Sequence, residues 1–175
     1  MSPQSALDML GEPERRIDSV PLMGAAAGLG LGIALARPTQ QVIVVDGDAS
    51  LLMELGSLVT VAHNRPKHYL HFVIHNSAQF NGLINLPTAG SEPDCDFTAM
   101  ARAAGYQHAE RIDSAEALGA ALPALLAREG ATFVELVVEA DPKRVGPGSP
   151  QPLLPEFQFV RMRNAVRQLK ATLAA

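Results

Sequence analysis

Two apolar rhythms alternate along this chain. Short β-branched or aromatic runs, Val42-Ile43-Val44-Val45, Tyr69-Leu70-His71-Phe72-Val73-Ile74 and Thr132 to Val138, read as strands buried on both faces of a parallel sheet. Leu22 to Ala36 is apolar at almost every position and predicts a helix without a polar face, stopped by Arg37-Pro38. A second helix is expected from about Leu51 to His63, with Ser50 as its N-cap. Asp96 is placed to cap a short helix over 97–104, and Ser114 or Asp113 another reaching Arg128. Pro155 opens a last amphipathic helix that runs to about Leu173. The Gly/Pro/Asn-rich stretch from Ser77 to Asp94 reads as a loop, and Asp141 to Pro155 as an irregular connector. Residues 1–19 are polar, with a helical turn or two around Ala6 to Leu10, and residues 1–15 are expected to be mobile. Strands alternating with helices give an α/β fold: a doubly wound, mainly parallel sheet with helices on both faces, formed as one domain over 1–175.

Glycine complicates the first helix. Gly24, Gly28, Gly30 and Gly32 would each weaken an isolated helix by roughly 1 kcal/mol relative to alanine. The segment must therefore be buried, with glycines allowing close backbone contact, and its lack of a polar stripe points to another chain as part of the cover. Gly28-x-Gly30-x-Gly32, with Asp46 downstream, superficially resembles a dinucleotide fingerprint. That motif needs a strand feeding its tight turn, and Ile17 to Leu22 is a poor, Pro-interrupted strand. A nicotinamide-binding reading stays as the weaker alternative.

Composition narrows the class. The 175 residues are 47% hydrophobic and 18% charged, as in an ordinary globular protein. A formal charge of −4, with no basic patch interleaved with aromatics, argues against nucleic acid as a partner. The single cysteine, Cys95, excludes an intrachain disulfide and a Cys-rich zinc site. The apolar stretch from Val20 to Ala36 is too short and glycine-rich to span a bilayer, and no signal peptide is evident, so a cytoplasmic location is expected.

Chemistry concentrates at the ends of the first two strands. In a right-handed βαβ unit both strand ends lie on one sheet edge. Asp48 follows the first run and Asn76 the second. A carboxylate and an amide oxygen meeting there make a hard-oxygen site suited to Mg²⁺ carrying a phosphorylated ligand. Gly47-Asp48-Ala49-Ser50 opens a helix, whose N–H groups and dipole favour phosphate. Read alone, Asp48 would be no more than a helix cap; Asn76 on the adjacent edge tips the balance toward a metal.

Met23-Gly24-Ala25-Ala26, then Val45-Asp46-Gly47-Asp48-Ala49-Ser50 with its following helix, then His75-Asn76-Ser77-Ala78 resemble the diphosphate-binding domain of thiamine diphosphate enzymes, above all the sulfopyruvate and phosphonopyruvate decarboxylases. The resemblance runs from about residue 15 to the last helix. It implies magnesium held by Asp48, Asn76 and the carbonyl of Ala78, with Gly47, Ala49 and Ser50 on the diphosphate. It also implies that Met23 supports the bent cofactor beside Gly24, and that the carbonyl of Pro21 takes the cofactor's amino group. The implied activity is decarboxylation of an anionic 2-oxo acid, followed by protonation or carboligation. In this family the glutamate that activates the cofactor lies on a pyrimidine-type domain, so a partner subunit and a hetero-oligomer are expected. Three departures stand out: Ala49 for the usual glycine, His75 for the usual aspartate, and an altered loop over 79–88. His75 is a candidate substrate contact, and a degenerate, non-catalytic cofactor-binding subunit is a second reading.

Overall fold

The computed structural model describes residues 13–19, 22–81, 84–88, 95–139 and 155–174. A 3-10 turn at Pro13–Arg15 leads to α1 (Ala26–Ala36), β1 (Val42–Gly47), α2 (Asp48–Met53), α3 (Ser57–Asn64) and β2 (His68–His75). β3 (Ala78–Asn81), β4 (Ile84–Pro87), α4 (Phe97–Ala104), β5 (His108–Ile112), α5 (Ala115–Ala127), β6 (Gly130–Val137) and α6 (Pro155–Ala174) follow.

β1, β2, β6 and β5 form one all-parallel sheet in that order. Alternation along β2 feeds two separate cores. Tyr69 and Val73 point to the side covered by α1, α3 and α4, where Leu31, Val61 and Phe97 are buried. Leu70 and Phe72 point the other way, with Ile112 and Val134, against Leu125 of α5. Helices therefore cover both faces, and the sheet is the doubly wound arrangement its strand runs predict. Each large apolar side chain buried this way contributes roughly 1.5–3 kcal/mol.

Several boundaries differ from expectation, each for a local reason. α1 begins at Ala26 rather than Leu22, because Met23 and Gly24 form a turn with Gly24 at φ +87. Ser50 does not cap a helix: it lies inside α2, and its hydroxyl instead accepts the N–H of Gly24 at 2.8 Å. The expected helix from Leu51 to His63 is two helices, broken at Glu54-Leu55-Gly56. The supposed loop after Ser77 contains an antiparallel hairpin, β3 with β4. β5, at the sheet's other edge, went unforeseen. Asp96 and Ser114 do cap α4 and α5, accepting from Ala99 and Ala117. The turn expected at Ala6–Leu10 and the connector over 141–154 lie outside the described residues.

Of the glycines in α1, only Gly30 makes a close internal approach, where a Cβ would collide with Val44. Gly28 and Gly32 face open space, beside the half-exposed Leu35. All three sit within the helix, so no strand-to-helix turn forms there and the dinucleotide reading loses its geometry. No helix among the described residues is long and apolar enough to cross a membrane.

Candidate functional site

β1 and β2 run parallel with Gly47 opposite Ile74, so Asp48 and Asn76 emerge at the same edge. Asp48 is 1% exposed. Its Oδ1 accepts the N–H of Ala49 at 2.7 Å, and its Oδ2 accepts the N–H of Ser77, also at 2.7 Å. That second bond ties the start of α2 to the segment leaving β2. Asn76 Oδ1 accepts the N–H of Ala78 at 3.1 Å, keeping the amide oxygen beside the Ala78 backbone. Ser77 sits between them at φ +54, a left-handed conformation seldom adopted by residues other than glycine.

Burial pushes the Asp48 carboxyl upward, against the N–H groups of Ala49 and Ser77 and the neighbouring His75, which favour its charge. A carboxylate buried at a strand edge with two amide donors, and with no cationic side chain bonded to it among the described residues, is suited to a hard cation. An adjacent amide oxygen and a backbone carbonyl supply further ligands of that chemistry. No three His, Cys, Asp or Glu side chains converge among the described residues, so a zinc-type cluster is absent there.

The other implied residues gather around this edge. Gly47 donates its N–H to Asp46 Oδ1 at 2.9 Å. Ala49 is buried and helical, with no positive φ, so alanine in place of glycine introduces no backbone strain. Ser50 links α2 to the Met23–Gly24 turn, and Met23 is 44% exposed, its sulfur 4.0 Å from Gln79 Nε2. Pro21 lies outside the described residues. Glu54 ends α2 instead of lying within a longer helix, and its Cβ abuts Gly24.

The histidines divide clearly. His75 is 4% exposed and turned inward, its Nδ1 2.7 Å from Glu135 Oε1 and its Nε2 3.2 Å from Ser77 Oγ, so neither nitrogen is open to a ligand. His71 is fully buried, with Nδ1 3.1 Å from Tyr106 Oη. Its Nε2 lies 3.9 Å from Asp46 Oδ2, and neither of those two atoms has a hydrogen-bond partner. His71 is thus a core histidine with one ring nitrogen paired and the other not. Glu135, not foreseen as part of the site, carries the buried end of the His75 chain. Its position at the centre of the Thr132–Val138 run on β6 was the available signal, since a carboxylate there must be bonded.

Comparison with known proteins covers most of the chain. The family described as thiamine pyrophosphate enzyme, C-terminal TPP binding domain, matches residues 8–136. The chain belongs to this family. It is 38% identical to the phosphonopyruvate decarboxylase of Streptomyces viridochromogenes over 131 residues, 74% of this chain and 32% of that protein. It is 43% identical to the sulfopyruvate decarboxylase subunit beta of Methanocaldococcus jannaschii over 76 residues, 43% of this chain and 40% of that one. An X-ray structure from Mycobacterium smegmatis, of a protein proposed to be a thiamin diphosphate-dependent enzyme, shares the fold. Its TM-score is 0.55 at 23% identity, over 68% of this chain and 22% of that one. This member of the thiamine pyrophosphate enzyme family thus matches 32% and 40% of the length of these two curated relatives.

Proposed function

We propose that this chain is the diphosphate-binding part of a thiamine diphosphate- and Mg²⁺-dependent decarboxylase of anionic 2-oxo acids, of the sulfopyruvate or phosphonopyruvate kind. The supporting observation is the bond from Ser77 N–H to the buried Asp48, which sets Asp48, Asn76 and Ala78 at one strand edge. Asp48 and Asn76 would hold the cation through side-chain oxygens and Ala78 through its carbonyl. Gly47, Ala49 and Ser50 would meet the diphosphate. The N–H groups of Gly47 and Ala49 now serve the carboxylates of Asp46 and Asp48. Exchanging Asp48 for a phosphate oxygen at Ala49 would release that carboxylate to the metal. Met23, backed by Gly24, would support the cofactor, with Pro21 before it.

When bound, thiamine diphosphate supplies the electron sink that decarboxylation of a 2-oxo acid requires. The chain's own residues bind and orient it, and His75 acts through Ser77 instead of meeting substrate. Two of the described glutamates are placed elsewhere, Glu135 on His75 and Thr98, and Glu54 beside Gly24 at the end of α2. A pyrimidine-type domain outside residues 1–175 would supply the activating glutamate, as in a hetero-oligomer with a partner subunit. The non-catalytic reading loses its main motive, because Ala49 fits its helical position without strain.

Calorimetry of the purified chain with thiamine diphosphate should show binding that requires Mg²⁺. CO₂ release from a panel of 2-oxo acids should be absent for the chain alone and appear on adding the pyrimidine-domain partner, since losing acid–base assistance costs about 10²–10⁴-fold. Mg²⁺-independent NAD binding would overturn the cofactor assignment, and robust turnover by the chain alone would overturn the need for a second domain.

A further inference from the structure

The polar groups behind the strand edge form a continuous buried line. Glu135, fully buried on β6, accepts at Oε2 from both the N–H of Thr98 at 3.1 Å and its hydroxyl at 2.8 Å. Its Oε1 lies 2.7 Å from His75 Nδ1, with the Arg111 guanidinium 3.9 Å away on the same oxygen. Besides His75, the groups paired with this carboxylate among the described residues, the N–H and hydroxyl of Thr98 and the Arg111 guanidinium, are donors, so its oxygens serve as acceptors. His75 Nδ1 must then carry a hydrogen. In the neutral ring that leaves Nε2 as a bare acceptor, and Ser77 is the group positioned to donate to it.

We propose that Thr98, Glu135 and His75 are positioning residues that fix the direction of the Ser77 hydroxyl, so that Ser77 offers acceptor lone pairs, not a proton, to a ligand at the strand edge. The proton of Ser77 is given to His75, and the half-buried hydroxyl keeps its lone pairs for another donor. A donor on the bound ligand or on a water of its cation is favoured there, and a bare anionic oxygen is disfavoured. The order Ser77, His75, Glu135 resembles a nucleophile triad, but the N–H groups of Ser77 and Ala78 are already given to Asp48 and Asn76. Neither of these two adjoining amides is left free to hold an oxyanion, so acyl transfer lacks stabilising donors from them.

The inference rests on the proposed function only in naming the ligand; the hydrogen-bond direction stands on the chain itself. Long-range ¹H–¹⁵N spectra of the full chain, resolving its five histidines, read the tautomer directly. His75 should show a protonated-type Nδ1 and a bare-type Nε2. Glu135→Gln should swap these two signals. The rigid N–H of Thr98 demands the new amide's oxygen, which turns its NH₂ toward His75 Nδ1 and moves the ring hydrogen to Nε2. Glu135→Gln should then reverse the Ser77 hydroxyl, whereas Ser77→Ala should leave the His75 tautomer as it is. A wild-type His75 with a bare Nδ1, or with both nitrogens protonated, overturns the proposal, and that spectrum decides the matter even if Glu135→Gln does not fold. A retained wild-type tautomer in folded Glu135→Gln also overturns it. Failure of the wild-type chain to bind thiamine diphosphate with Mg²⁺ would count against the proposed function alone, leaving the tautomer result intact.

Discussion

Asp48 Oδ2 accepts the backbone N–H of Ser77 at 2.7 Å, joining the first turn after β1 to the first turn after β2. Neither residue reaches the other through sequence; the parallel register of the two strands delivers them.

Removing that carboxylate should separate stability from ligand binding. Asp48→Ala leaves the N–H groups of Ala49 and Ser77 without their acceptor, at a cost of ~1–3 kcal/mol read as a lower urea midpoint. Mg²⁺-dependent thiamine diphosphate binding should fall by more than the ~10²-fold seen when only outer partners of a metal are lost. Unchanged affinity in calorimetry would remove Asp48 from the site.

The glycines of α1 should respond in opposite senses. Gly30→Ala drives a methyl into Val44 and Tyr69 and should destabilise the fold by ~1–3 kcal/mol. Gly28→Ala and Gly32→Ala meet nothing and should each stabilise the isolated chain by up to ~1 kcal/mol through helix propensity. If the open glycine face carries the partner, these two changes should also weaken assembly, measured by sedimentation of the mixture. Equal destabilisation at all three positions would contradict the packing described.

Gly24→Ala tests the turn proposed to support the cofactor. At φ +87 a side chain costs ~1–2 kcal/mol, and the new Cβ would sit 2.8 Å from that of Glu54. The Met23 turn should shift while the sheet persists, lowering thiamine diphosphate affinity about tenfold with far-UV dichroism unchanged. A variant that binds as tightly as wild type would show that Met23 does not support the ligand.

Cys95 offers a pH readout. Burial, and then the carboxylates of Glu135, Asp96 and Asp48, hold its thiol above the ordinary range. Iodoacetamide should therefore modify the folded chain more slowly than the urea-unfolded chain at pH 8.5, the gap narrowing as pH rises further. The sign for stability follows: above about pH 8.5 the unfolded thiol loses its proton first. The unfolded state then binds fewer protons, and Cys95's contribution to stability falls as pH climbs through the folded value. Faster alkylation of the folded chain would reverse this reading.

Much of the arrangement was legible because it rests on apolar runs. β1, β2 and β6 are β-branched or aromatic and lie inside the sheet, and their ends carry Asp48 and Asn76 to one edge. β5 was not legible because His108-Ala-Glu-Arg-Ile is an edge strand with only Ile112 buried. The hairpin of β3 and β4 hid in a Gly/Asn-rich stretch, since its strands are four residues each. Gly56 marked the break between α2 and α3 but was read through, as helix propensity tolerates one glycine. Ser50 followed Asp48 in a capping pattern, yet its hydroxyl answers to a tertiary donor, Gly24, that local sequence does not reveal.

The Glu135–His75 contact spans sixty residues, and this gives the edge a place in time. β1 and β2 can pair early, but the inward anchor of His75 arrives only when β6 docks against β2, after α4, β5 and α5 have formed or been looped out. Pairings so distant along the chain are slow to close and come late. On a ribosome, a nascent chain halted before residue 135 would carry Asp48 and Asn76 without the strand that steadies them. The chemistry-bearing edge is thus encoded early and finished late.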